Sequence, residues 1–269
     1  MLAELHILAD VARYRIRRLE MANLAGAAAL ALALALPADE LAVRLVFGLL
    51  LNLLVYLNND FHDRAFDLVA AGRERDKTEF LVSHLGAAIR AQLGCLAALV
   101  VIAVVWGGGL WMPLVVGGGV CWVYSALLKR RPIVDVVAMV AWGVAMPMVG
   151  VPADRLRDAL PLLLLLGLFS GVFESVQVLR DHDADRSQGV RTTAVVLGPA
   201  RTAVIAHALA VLAAVHALWS FGAVVAMPTL LAAVLPMRST SPERVWNRLR
   251  LLCGISFALA CWAVRRSMP

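Results

Sequence analysis

Asn59-Asp60-Phe61-His62-Asp63-Arg64-Ala65-Phe66-Asp67 follows directly on an apolar run at 41–58, and that junction decides the fold. Carboxylates are costly at membrane depth, so acidic residues kept at the end of an apolar span are there to hold cations or protons. The spacing favours cations. Asp60, Asp63 and Asp67 are three and four residues apart and line one face of a helix. A second cluster, Asp181-His182-Asp183-Ala184-Asp185, closes the apolar run at 158–179, with Asp181 and Asp185 four apart. Two facing carboxylate clusters suit Mg²⁺, which reaches a diphosphate through one or two carboxylates per ion.

The rest of the chain is written for a bilayer. Of its 269 residues 61% are hydrophobic and 16% charged, with a mean hydropathy of +0.80, whereas soluble domains average about 25% charged. Nine apolar stretches, at 21–36, 41–58, 87–106, 110–128, 133–151, 158–179, 197–218, 221–237 and 248–264, approach the ~20 residues a crossing needs. The expectation is an all-α integral membrane protein, one domain over 1–269, with an N-terminal segment at 1–20 and motif loops at 59–86 and 180–196. Arg17-Arg18 ahead of Ala25–Leu36 also has the layout of a secretory signal, but the segment before it is long and acidic, so a first span is expected. The four cysteines lie inside apolar stretches without a CxxC pair, as small core residues do.

The net charge of +6 would suit nucleic acid or anionic lipid, but its distribution has another explanation. With the connections numbered alternately, twenty of the 25 lysines and arginines fall on one side and five on the other. The positive-inside rule then puts the N-terminus and both aspartate clusters on the cytoplasmic side of a bacterial inner membrane or other plasma membrane. No nucleic-acid partner is expected.

Several residues near the clusters complete a candidate site. Asn52, Asn59, Asp63 and Asp67 are spaced seven, four and four, sharing a helical stripe. Glu174, Gln177 and Asp181 repeat at three and four residues before Asp185; within a span such polar groups face the bundle interior, as ligands or as interhelical hydrogen bonds. Tyr124-Ser125-Ala126-Leu127-Leu128-Lys129-Arg130-Arg131-Pro132 ends the fourth apolar stretch. Lys129, one of two lysines, is expected to contact an anion, while Arg130 and Arg131 suit a topological anchor. Arg73, Arg75 and Lys77 either lay further charge over the same cavity or meet lipid headgroups. Carboxylates that hold divalent cations, faced by ammonium and guanidinium groups, suit a polyphosphate. An apolar cavity adds an apolar tail, and an isoprenyl diphosphate meets both demands.

At this point the chain resembles the UbiA superfamily of intramembrane prenyltransferases. Asn59, Asp60, Asp63 and Asp67 fit its NDxxDxxxD signature; Asp181 and Asp185, with Gly189-Val190-Arg191-Thr192-Thr193 after them, look like its DxxxD motif and Gly-x-[KR]-[ST]-T tail. In wording the motifs are most similar to 4-hydroxybenzoate polyprenyltransferases, and Tyr124–Lys129, with Pro132 and Asp135 beyond, is similar to the YxxxxK region of relatives. The resemblance implies nine transmembrane helices around a central cavity and two Mg²⁺ ions, held by Asn59, Asp60, Asp63, Asp67, Asp181 and Asp185. Tyr124, Lys129, Gln177, Arg191 and Arg73 or Arg75 would contact the isoprenyl diphosphate, and a lipophilic acceptor would receive the prenyl group. Lys77-Thr78-Glu79-Phe80-Leu81-Val82-Ser83-His84 stands where many relatives carry Arg-Pro-x-Pro-Ser-Gly. That departure keeps a terpene cyclase on the same scaffold as an alternative. A cation transporter is the remote one, because the acids sit at helix ends rather than near the midplane.

Overall fold

The computed structural model describes residues 2–68, 73–238 and 242–268, apart from the side chains of 66, 73–76 and 242. The described residues form α1 (Leu2–Arg17), α2 (Ala22–Ala33), α3 (Ala38–Asp67), α4 (Arg73–Ser83), α5 (Leu85–Trp106), α6 (Gly119–Ala126), α7 (Val134–Ala145), α8 (Leu156–Arg180), α9 (His182–Ser187), α10 (Thr193–Leu197), α11 (Pro199–Phe221), α12 (Ala223–Ala233) and α13 (Pro242–Ser267). Five helices, Ala38–Ala65, Leu85–Trp106, Ala153–Arg180, Pro199–Phe221 and Glu243–Ser267, are long and apolar enough to cross a membrane. The remaining apolar stretches fold as shorter helices, Ala22–Ala33, Pro113–Ala126, Val134–Gly150 and Ala223–Ala233. Proline explains part of the shortening. Pro113 opens a π-helical turn at Pro113–Gly118 ahead of α6, and Pro147 tightens the end of α7 into the 3₁₀ turn Met146–Gly150.

α3 is the exception in length. Its 30 residues rise about 45 Å, against about 30 Å of hydrocarbon. The first motif is therefore helical throughout, as its three-and-four spacing implied, and occupies the overhanging last turns, so the motif loop expected at 59–86 is helix over 59–67. α9 likewise makes the second motif helical. α5 ends at three consecutive glycines, Gly107, Gly108 and Gly109, with φ of +65°, +47° and +82°, a left-handed turn that side chains disfavour.

The helices pack as two linked groups. In one, α8 lies against α7, α11 and α13, with α12 between α11 and α13; its core runs from Leu162, Leu163 and Leu165 to Ala206, Ala210 and Leu249. In the other, α3 packs on α2, α5 and α6 through Phe47, Leu51, Val55, Leu99 and Cys121. α1 lies across α3 and α5. His207 Nδ1 to Ala233 O at 2.9 Å and His216 Nε2 to Pro161 O at 2.8 Å are hydrogen bonds between helices. Large apolar side chains remain outside, among them Trp219 at 91% exposed. Such a surface suits lipid and would aggregate in water.

Small residues set the closest contacts. Gly143 of α7 and the Gly167-x-x-x-Gly171 pair of α8 face one another's helix so closely that an added Cβ would lie 2.4–2.5 Å from Ser170, Val144 or Val140. Small-residue stripes of this kind let helices in lipid approach backbone to backbone. Gly150 is tighter still, with an added Cβ 2.0 Å from the Ala27 carbonyl oxygen. At the end away from the motifs, Arg44 is 1% exposed. Its guanidinium pairs with Glu40 and donates to Val149 O at 2.9 Å, Val151 O at 3.2 Å and Gly108 O at 2.6 Å.

Gly150→Ala is expected to lower the unfolding temperature in detergent by an amount equivalent to about 1–3 kcal/mol of overpacking. Gly94→Ala in α5, where nothing lies within 4 Å of the new methyl, should leave it unchanged. Equal melting of both variants would refute the close approach.

Candidate active site

The first motif divides its carboxylates between two neighbourhoods. Asn59 Nδ2 donates to Asp63 Oδ2 at 3.1 Å, and Lys129 Nζ reaches the same oxygen at 2.5 Å. Lys129 sits on the short turn Leu128–Arg130 after α6, so this contact joins α3 to the end of the fourth apolar stretch. Asp60, one position round the helix from Asn59, faces α1 and α4. Its Oδ1 takes Arg15 Nη2 at 2.5 Å and Lys77 Nζ at 2.9 Å, and the side chain is buried. Arg15 also pairs with Glu20 at 2.7 Å and stacks 4.6 Å from the Tyr56 ring; Lys77 lies 4.5 Å from the Tyr14 ring. These aromatic faces suit cations removed from water. Beside them lies a cavity of ≈ 10 Å³ lined by Asp10, Asp60 and Lys77, about the volume of one water.

The second motif begins where α8 ends. Arg180 forks onto Asp181 at 2.8 and 3.0 Å, and Thr192 Oγ1 donates to Asp185 Oδ2 at 3.2 Å. Burial pushes the Asp185 carboxyl pKa up, opposed by the Thr192 hydrogen bond; Asp181 adds to the rise and Lys129 counters it. Burial disfavours the Lys129 charge, but Asp63, then Glu174 and Asp67, outweigh it and raise its pKa. Lys129 thus feels carboxylates from both halves of the chain. One layer deeper, Tyr124 OH donates to Glu174 Oε1 at 2.7 Å in a buried pair between α6 and α8.

A second bond set ties the Lys129 turn to the tail of the second motif. Asp135 is fully buried, yet its carboxylate accepts from the Val136 amide at 2.9 Å, the Thr193 amide at 2.7 Å and the Thr193 hydroxyl. The Thr193 Oγ1 in turn accepts from the Ile133 amide at 2.6 Å. That bond holds Ile133 at φ +72°, a left-handed conformation costly for a β-branched residue. Several donors on one carboxylate satisfy a buried charge without a cation.

The three-and-four spacing placed Asn59 beside Asp63 on α3; the structure adds Lys129 to that pair from 66 residues away and sets Tyr124 against Glu174 from 50 residues away. Spacing gave no sign that Asp60 turns to Arg15, because that partner lies 45 residues away on α1. Lys77, read as charge over the cavity or at lipid headgroups, is buried against Asp60; the side chains of Arg73 and Arg75 lie outside the described residues. Gln177 is half-buried and its carbonyl accepts the Asp181 amide at 2.9 Å, while Arg191 is exposed. Asp135 and Thr193 were missed as site residues. Their signal was present, an aspartate and a threonine each following a motif, but nothing local says that they meet.

The donor set fits Mg²⁺. Among the described residues no three acidic, histidine or cysteine side chains form a ready cation nest, but Mg²⁺ asks for only one or two carboxylates when phosphate and water supply the rest. Asp60 Oδ2 is buried without a hydrogen-bond partner among those residues, a hard oxygen of the type this ion prefers.

A helical membrane bundle with acidic motifs at one end defines the class, and the chain belongs to the UbiA prenyltransferase family, which it matches over residues 21–249. A UbiA homolog from Archaeoglobus fulgidus, solved bound to GPP and Mg²⁺, has a TM-score of 0.73 and 14% identity over 98% of this chain and 99% of its own. The homolog bound to DMAPP and Mg²⁺ gives 0.71 and 14% over 93% and 97%. A structure of digeranylgeranylglyceryl phosphate synthase gives 0.76 and 13% over 98% and 99%. At such identities the likeness is one of fold. No curated protein matches the chain significantly.

Thr193→Val is expected to lower stability by about 1–3 kcal/mol, because it strips a donor from buried Asp135 and an acceptor from Ile133. Thr193→Ser, which keeps the hydroxyl, should melt close to wild type; melting of both in detergent by a tryptophan-fluorescence ramp decides it.

Proposed function

We propose that the protein transfers a prenyl group from an isoprenyl diphosphate to a lipophilic acceptor in a Mg²⁺-dependent reaction. Lys129 carries this reading: one half-buried ammonium is paired with Asp63 and also acts electrostatically on Asp185 of the second motif, at the mouth of an apolar bundle. A diphosphate seated there would meet a cation already fixed in place. The GPP and DMAPP bound in the similar structures support the donor class.

In this reading Asn59, Asp60, Asp63, Asp67, Asp181 and Asp185 would hold two ions, which neutralise the charge that builds on the departing diphosphate. Lys129 exchanges its Asp63 contact for phosphate oxygens and stabilises the same charge. Tyr124, Gln177, Arg191, Arg73 and Arg75 are the further candidates for holding the diphosphate. The apolar walls keep water from the allylic cation as its C–O bond breaks. An electron-rich acceptor carbon supplies the electrons for the new C–C bond, and its proton leaves to restore the acceptor. The whole chain, 1–269, acts as one membrane-embedded domain of nine spans, with the motif ends facing the cytoplasm. The basic-residue asymmetry supports that orientation.

The segment Lys77–His84 favours a second reading. Lys77 is engaged at Asp60 and Phe80 and Leu81 cover the same corner, where many relatives carry a different capping sequence. A closed corner of this kind suits a cyclase whose cation is captured by its own chain.

With Mg²⁺ and geranyl, farnesyl and geranylgeranyl diphosphates, with and without 4-hydroxybenzoate and quinols, mass spectrometry should find the prenyl mass added to an acceptor. A cyclic hydrocarbon formed without acceptor would establish the cyclase. Asp60→Ala and Asp181→Ala should each abolish turnover in protein still folded in detergent, Asp181→Ala melting near wild type and Asp60→Ala lower, because Arg15 and Lys77 lose their buried partner. Lys129→Ala should raise the KM for diphosphate about tenfold, the loss of one charge-assisted hydrogen bond, and leave the acceptor KM nearly unchanged.

A further inference from the structure

Three polar side chains lie one heptad below the motif layer, each on a different helix. Asn52 precedes Asn59 by seven residues on α3, Trp142 follows Asp135 by seven on α7, and Glu174 precedes Asp181 by seven on α8. Seven residues are two turns, so each sits about 10 Å deeper on nearly the same face as its motif partner. α6 stands at the centre of the three. It packs on α3 and α7, and its Tyr124 reaches Glu174. Trp142 packs against the core of Leu51, Val55 and Cys121 on one side and against Tyr124 on the other.

Their hydrogen bonding is incomplete in a patterned way. Asn52 is 2% exposed; its Nδ2 donates to Gly48 O at 2.8 Å, while Oδ1 is buried without a partner among the described residues. Trp142 Nε1 and Ser125 Oγ, the latter on α6, are buried and unpartnered in the same sense. Buried polar atoms in native proteins nearly always find partners, and in a lipid-embedded bundle water is not freely at hand to supply them. The set offers one acceptor, Asn52 Oδ1, one donor, Trp142 Nε1–H, and one group of either kind, Ser125 Oγ. A hydroxyl, which donates once and accepts besides, answers that set. Among the described residues the nearby cations are already committed: Lys129 to Asp63, Arg15 to Asp60 and Glu20, and Arg44 to Glu40 and three carbonyls. The charged-type group of this layer is the carboxyl of Glu174; Lys129, the cation it acts on, is already paired with Asp63, so an anionic headgroup brought to this depth would add a second negative charge beside that carboxyl.

We infer that Asn52, Trp142 and Ser125 form the subsite for the acceptor's polar group, and that the acceptor is a neutral hydroxylated aromatic or lipid rather than a carboxylate or phosphate ester. This rests on the transferase reading above. It also opposes the acceptor implied by the motif wording, 4-hydroxybenzoate, which is an anion. A fixed water is the other source of the same hydrogen bonds.

The test uses the full-length protein in detergent with Mg²⁺ and geranyl diphosphate, and four probes of one ring system: naphthalene, 1-methoxynaphthalene, 1-naphthol and 1-hydroxy-2-naphthoate. Binding is read by calorimetry and by the shift in melting temperature. The expected result is that 1-naphthol binds at least about tenfold more tightly than the other three, since a site built to hydrogen-bond a hydroxyl rejects analogues lacking it. Asn52→Leu and Trp142→Phe should each erase most of that preference while leaving the geranyl diphosphate affinity within about twofold. The inference is overturned if naphthol and naphthalene bind alike, which assigns the atoms to water, if the naphthoate binds as well as naphthol, if the preference survives in both variants, or if no probe binds. Failure of wild type to bind geranyl diphosphate with Mg²⁺ would instead remove the transferase reading itself.

Discussion

A carboxylate delivered by an apolar helix to the end of a membrane bundle must be neutralised from inside the protein, because neither lipid nor a dense bundle solvates it. Every element around the site answers that demand. Asp60 is met by Arg15 from α1 and Lys77 from α4, Asp63 by Lys129, Asp181 by Arg180, and Asp135 by amides and a hydroxyl alone. The peripheral α1 and α4 are thereby tied to the centre. Their apolar faces pack on α3 and α5 through Ile7, Val11, Leu57 and Leu81, and their cations fix where α3 can present its last turns.

The pairing also explains why the acids are not already gathered as a cation nest. Like charges brought together without a counter-ion repel, so each acid turns to the nearest base. Lys129 is the exception in that it serves two motifs at once. Its position is held by the Asp135–Thr193 bonds, which run from the strained Ile133 turn to the tail of the second motif. The two groups of helices are therefore joined at the site end by polar bonds, Tyr124 to Glu174 among them, and elsewhere by the close approach of Gly150, just beyond α7, to Ala27 of α2. Polar bonds can be exchanged for ligand contacts; packed backbones cannot.

Much of this was legible in the chain because it is local. Hydropathy runs mark the helices, and three-and-four spacing places Asn59 beside Asp63 whatever the rest of the fold does. The family followed from the same two motifs. What escaped sequence reasoning is of two kinds. Proline and glycine shortened stretches that hydropathy alone counted as full spans, so that Pro113–Ala126 and Val134–Gly150 are broken helices. Long-range partners were hidden as well: Arg15 lies on the leading helix, read only for topology, and Thr193 meets Asp135 across 58 residues. No periodicity encodes such meetings, since they depend on which helices become neighbours.

Arg44 has a consequence for how the protein is made. Three of its four partners are carbonyls of Gly108, Val149 and Val151, the last two 105 and 107 residues downstream. At about 5–20 residues per second of synthesis, α3 exists for several seconds or longer before those carbonyls do. During that interval the guanidinium has one lasting companion, Glu40, a single turn away on its own helix. The pair lets a span that carries a buried arginine enter the membrane early as a self-neutralised unit, and the ribosome then supplies the remaining partners in order.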